Sequence, residues 1–142
     1  MRLNVDANIF ASRYRETDEN HAEAVAFFDL CEEPLVQFCA PVVLLPEVSG
    51  ALSRIHGAAR FGELAVTRIL GLPRLKLRPI DFAFAERAAR LAARFRLRGV
   101  DALYLTLAEE NKSILVTRDK EILKAASVAE VITPAEWLAA NR

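Results

Sequence analysis

The sequence predicts an α/β fold: a three-layer α/β/α sandwich on a central, mainly parallel sheet of five strands. Two observations lead there. Short apolar runs alternate with stretches of helical periodicity along the whole chain, and strands separated by helices pair in parallel through right-handed crossovers. Hydrophobic residues make up 53% of the 142, which suits a sheet covered on both faces. With no repeat, linker or low-complexity segment, residues 1–142 read as one domain. A chain of that size buries about two-thirds of its unfolded surface.

Each element has its own signal. Leu3 to Val5 is a brief buried strand. From Asp18 to Glu33, Ala22, Val25, Ala26 and Phe28 to Leu30 supply one apolar side of a helix. Leu35 to Cys39 is the second strand, closed by Ala40-Pro41. Helices follow from about Val43 to His56 and from Arg60 to Leu70, with Gly57 and Gly71 as stops. Leu75 to Ile80 is the third strand, and Asp81 caps a long helix to about Leu97. Gly99 breaks the chain and Asp101 opens the next helix. Ser113 to Val116 and Glu130 to Ile132 are the last strands. Thr133-Pro134-Ala135-Glu136 then starts a helix, with Thr as N-cap, Pro at the first position and Glu at the third.

Lys plus Arg and Asp plus Glu both total 19, so the formal net charge is zero. Any nucleic-acid partner must therefore be drawn by local patches or by bound metal. Cys31 and Cys39 are too few for a disulfide framework and read as buried thiols, which suits a reducing cytoplasm. The N-terminus runs straight into a strand, and no apolar stretch reaches the ~18 residues of a membrane span. A soluble cytoplasmic protein is the expectation.

Four acids carry the functional information: Asp6, Glu47, Asp101 and Asp119. Three sit where a strand ends or a helix begins, and Glu47 lies in the first turns of a helix. In an open parallel sheet those places share one edge, at the carboxyl ends of the strands. Converging carboxylates repel unless cations lie between them, and oxygen-only donors select Mg²⁺ or Mn²⁺ over zinc or copper. Taken singly, Asp6, Asp101 and Asp119 are equally well explained as helix caps. Glu47 is harder to explain so, because Val43, Leu44, Leu45, Val48, Ala51 and Leu52 surround it and burying an unpaired carboxylate is costly. His21 and His56 have no partners at ligand spacing, and neither a phosphate-binding glycine loop nor a GxSxG elbow is present.

The segments Val5-Asp6-Ala7-Asn8, Glu47 in the third helix, Val100-Asp101-Ala102 and Leu115-Val116-Thr117-Arg118-Asp119 together resemble the PIN-domain nucleases. The closest resemblance is to the VapC-like toxins of toxin–antitoxin pairs, and it covers nearly the whole chain. It implies Mg²⁺-dependent (or Mn²⁺-dependent) hydrolysis of RNA by water, leaving a 5′-phosphate and independent of the 2′-OH. Asp6, Asp101 and Asp119 would be metal ligands, with Glu47 a ligand or a base orienting the water. Asn8 and Thr117 match positions that hydrogen-bond the carboxylates or the metal-bound water. Pro46, just before Glu47, is harmless if the helix starts near Leu44. The resemblance also implies a homodimer and a small cognate antitoxin, both using the segment Val43 to Leu70.

Arg87, Arg90, Arg94 and Arg98 form a stripe at spacings of three and four leading toward Asp101. Arg90, Arg94 and Arg98 are candidate RNA contacts, against the plainer reading of a solvated helix face. Arg118 is a further candidate contact, or pairs with a neighbouring acid. Trp137 reads as core packing, and Phe27, Phe28, Phe82 and Phe84 as core or dimer surface. Three rivals remain: an RNA-processing PIN nuclease with no antitoxin, a non-catalytic RNA-binding PIN-like module, and a receiver-like signalling domain. The last needs a late Lys and has no place for Glu47.

Overall fold

The structure, a computed structural model, describes residues 1–32 and 36–142. Its strands are β1 (Arg2–Val5), β2 (Gln37–Pro41), β3 (Leu75–Arg78), β4 (Ile114–Val116) and β5 (Val131–Ile132). The helices are α1 (Ala7–Arg13), α2 (His21–Leu30), α3 (Leu44–His56), α4 (Ala59–Leu70), α5 (Phe82–Phe95), α6 (Gly99–Asn111), α7 (Lys120–Leu123) and α8 (Pro134–Asn141). Every strand pairing is parallel, in the order β3-β2-β1-β4-β5.

That order positions the site. The chain steps outward from β1 through β2 to β3, then returns to place β4 and β5 on the other side of β1. Neighbouring crossovers therefore diverge between β1 and β4, and a crevice opens beyond their carboxyl ends. Asp6 follows β1 there, and Thr117 and Asp119 follow β4.

Both faces of the sheet are covered. On β2, Phe38 turns to one side, where its ring lies 5.4 Å from Phe28 of α2. Phe10, Phe27 and Trp137 extend that aromatic cluster into α1 and α8. Cys39 turns to the other side, against Phe84 of α5 and Leu103 and Leu107 of α6. The alternation along one strand thus fills two separate layers. Both cysteines are buried free thiols. No helix among the described residues is long and apolar enough to cross a membrane.

Several boundaries differ from the sequence reading, each for a local reason. The helix expected from Asp18 begins at His21, because the Asp18 carboxylate accepts from the Asn20 N–H at 2.7 Å and holds a turn instead. Pro41 ends β2 rather than closing it from outside: it pairs with Arg78, and the ladder continues through the Val42 N–H to the Arg78 carbonyl. β3 stops at Arg78, two residues before Ile80. α5 stops at Phe95, with Arg96 in a left-handed conformation at φ 54°, and α6 begins at Gly99 rather than Asp101. The expected limits at Glu33 and Leu35 lie outside the described residues. Gly57 does end α3, at φ 69°. Thr133 and Glu136 form the expected reciprocal cap.

Candidate metal centre

Asp6 leaves β1 as the residue before α1, yet its side chain caps nothing. It is only 5% exposed and accepts a 2.6 Å hydrogen bond from Thr117 Oγ1. Burial pushes its carboxyl up to about 7, and the charges of Glu47 and Asp101 push the same way. The Thr117 hydrogen bond and the Ala7 N–H act against that rise. A carboxylate so placed is poised to gain from a cation.

Thr117 is fully buried and ties two acids together. Its hydroxyl donates to Asp6 and accepts from the Asp119 N–H at 3.0 Å. Asp119 combines both readings the sequence allowed. One oxygen caps α7 through the Glu121 N–H at 2.9 Å, while the other lies 3.6 Å from Arg98 Nη2.

Glu47 is the fourth residue of α3. Pro46 falls in the first turn, where its missing N–H has no helical acceptor to lose. Burial raises the Glu47 carboxyl above its ordinary value and Asp101 adds to this. A 2.7 Å hydrogen bond from Tyr104 Oη, together with Arg98, opposes the rise. Tyr104 itself is fully buried in α6, and burial beside Glu47 pushes its phenol upward. Tyr104→Phe should therefore raise the Glu47 pKa further without unfolding the protein. A carboxyl-carbon NMR titration of Glu47 checks this, and an unchanged midpoint would deny Tyr104 the role.

Asp101 lies in the first turn of α6, buried. Arg98 grips it with a fork, Nε at 2.9 Å from one oxygen and Nη2 at 3.4 Å from the other. All four acids are therefore linked in one network, through Thr117, Tyr104 and Arg98 or through mutual charge. Among the described residues, no three His, Cys, Asp or Glu side chains approach closely enough to form a ready-made cage. The Arg98 guanidinium lies between Asp101 and Asp119, in contact with both.

The donor chemistry fits a hard divalent ion. Every nearby acid supplies oxygen, no thiol or imidazole competes, and the Asn8 side-chain oxygen is buried without a hydrogen-bond partner. Asp6, Asp101, Asp119 and Glu47 are the residues that could hold such an ion, with Asn8 and Thr117 beside them.

The arginines divide. Arg87 pairs with Glu110 at 2.7 Å and Arg90 with Glu86 at 3.2 Å. Arg94 lies over the Phe95 ring, and only Arg98 reaches the acids. The stripe seen in sequence is thus largely engaged by its own neighbours. Arg118 points to the far side, onto Glu23 at 2.9 Å and Ser12 at 3.1 Å, and pins α1 and α2 to the turn after β4. Sequence reading missed the roles of Tyr104 and Arg98 at the acids. Arg98, three residues before Asp101, carried the clearer signal, since that spacing puts both on one helical side.

Comparison with known proteins agrees with this fold. The structure of the Mycobacterium tuberculosis toxin VapC20, described as cleaving the Sarcin-Ricin loop, superposes with a TM-score of 0.76. It is 19% identical, with 91% of this chain and 98% of that one covered. VapBC2 from Rickettsia felis, bound to promoter DNA, gives 0.72 at 13% identity, over 94% and 98%. A toxin–antitoxin complex from Klebsiella pneumoniae gives 0.64 at 20%, over 93% and 97%. At such identities these likenesses speak for the fold. No curated protein sequence matches the chain significantly. The family model described as PIN domain matches residues 4–128, a span from β1 through α7 that contains all four acids. With that match across most of its length, the chain belongs to the PIN domain family.

Proposed function

We propose that this protein is a metal-dependent endoribonuclease, the toxin of a VapBC-type toxin–antitoxin pair, acting in the cytoplasm as a single domain over residues 1–142. The observation that carries this reading is the convergence of Asp6, Glu47, Asp101 and Asp119 on the crevice between β1 and β4 of a PIN fold. The similar structures add support: one is of a toxin described as cleaving the Sarcin-Ricin loop, and another is of a toxin–antitoxin complex.

A phosphodiester bears a negative charge that repels an attacking hydroxide, and the acidic site alone would repel it further. A bound Mg²⁺ or Mn²⁺ supplies charge neutralisation and a more acidic water. Asp6, Asp101 and Asp119 would hold the ion. Thr117 fixes one oxygen of Asp6 and so aims the other. Tyr104 occupies one oxygen of Glu47, leaving the second to orient water and take its proton. Asn8 offers its buried oxygen to the same water or ion. Water as nucleophile leaves a 5′-phosphate and makes no use of the 2′-OH.

Residues exposed on α3 and α4, Ile55, Leu64 and Leu70, suit burial by a protein partner. Beside them Tyr14, His56, Phe61 and Arg68 line a cavity of about 320 Å³. We assign this surface to a small cognate antitoxin and, in part, to a homodimer. The nuclease reading is tested by incubating total cellular RNA with wild type and Asp6→Asn, with Mg²⁺ or with EDTA. Discrete fragments only for wild type plus metal are expected; intact RNA with folded, metal-supplied wild type would count against a nuclease.

A further inference from the structure

We infer that Arg98 is a built-in counter-cation of the carboxylate cluster, seated where it competes with the divalent ion and so sets how tightly the site binds metal. This rests on the metal-site reading above.

The placement is hard to explain otherwise. Arg98 is the N-cap residue of α6, extended at φ −62° and ψ 147°. A cation at a helix N-terminus opposes the helix dipole, so the helix does not favour it there. Its backbone is held between buried Leu97 and the first turn of α6, which follows the left-handed Arg96. The side chain is nonetheless 81% exposed, and its only hydrogen-bond and ion-pair partners among the described residues are Asp101 and Asp119. One guanidinium thus touches two of the proposed ligands. Its charge also registers at the other two, Asp6 and Glu47.

Each of those contacts uses an oxygen that a metal would need. The fork on Asp101 occupies both of its oxygens, and Nη2 faces the Asp119 oxygen that does not cap α7. A divalent ion at Asp101 and Asp119 therefore competes with the guanidinium for these oxygens and their charge, and the high exposure of Arg98 lets it withdraw. Stabilisation of the metal-free cluster by Arg98 is subtracted from metal affinity.

This predicts a sign opposite to that of a residue that merely orients Asp101 for the metal. The experiment is calorimetric titration of the full chain with Mn²⁺, comparing wild type, Arg98→Gln, Arg98→Lys and Asp6→Asn, each checked by circular dichroism. Arg98→Gln should bind Mn²⁺ about two- to fivefold tighter, the worth of a largely exposed ion pair that no longer has to break. Arg98→Lys, which keeps the charge but loses the fork, should fall between. Without metal, Arg98→Gln should melt lower than wild type and gain more from Mn²⁺. Unchanged or weaker Mn²⁺ binding by Arg98→Gln, with Asp6→Asn binding lost, would overturn the counter-cation and leave the metal site standing. Undiminished binding by Asp6→Asn would overturn both.

Discussion

Asp6→Asn is expected to melt at a higher temperature than wild type in EDTA at pH 8, while losing RNA cleavage by at least about a hundredfold. The activity loss follows from removing a proposed ligand, since changes one shell further out already cost 10–100-fold in metal sites. The gain in stability follows from burial. The Asp6 carboxyl titrates near 7 in the folded protein against 3.8 ordinarily, so between those values the folded state holds a proton that the unfolded state has released. Stability therefore falls as pH rises from about 4 to about 7, and the full penalty applies above that. Its upper bound is about 4 kcal/mol, at 1.36 kcal/mol per unit. Asparagine can still accept from Thr117 and never ionises. The melting gap between variant and wild type should be small at pH 5 and large at pH 8. A gap that does not change with pH would refute the buried charge.

Gly62→Ala is expected to destabilise by about 2 kcal/mol, despite placing a better helix former in α4. Gly62 is buried against α3. A methyl group there would press on the Ser49 carbonyl oxygen and Ser53 Oγ, and come within 2.7 Å of Ser49 Oγ. A backbone oxygen cannot swing aside, so the two helices must separate. The melting temperature should fall by roughly 6–10 °C for a chain of this size. Gly50→Ala is the internal control: its methyl would meet only the Arg54 guanidinium, at 3.1 Å. That end is flexible, so no loss, or a gain of up to about 1 kcal/mol, is expected. Equal melting of Gly62→Ala and wild type would mean α3 and α4 are less tightly apposed than described. Because α3 also carries Glu47, Gly62→Ala should lower metal affinity as well.

The layers and the site edge were legible because they depend on local pattern. Apolar runs and helical periodicity located every strand and the longer helices, and Asp6, Asp101 and Asp119 announced themselves by following strands or opening helices. Boundaries failed where a local hydrogen bond outweighed periodicity, as when Asp18 formed a turn instead of starting α2. Charge partners were less legible still. Tyr104 reads as an ordinary core aromatic, and only the packing of α6 brings its hydroxyl to Glu47, 57 positions away. The arginine spacing on α5 was right, but nothing local reveals that α6 presents Glu110 to Arg87. Likewise Arg118 finds Glu23 across 95 positions of chain. Such pairings depend on how elements pack, which periodicity does not encode.

The most direct test of the metal centre is anomalous diffraction from crystals soaked in Mn²⁺. The predicted result is a peak bounded by Asp6, Asp101 and Asp119, with Glu47 beside it and the Arg98 guanidinium withdrawn from Asp101. A peak elsewhere, or none with Arg98 still on Asp101 at saturating Mn²⁺, would contradict the assignment of these four acids.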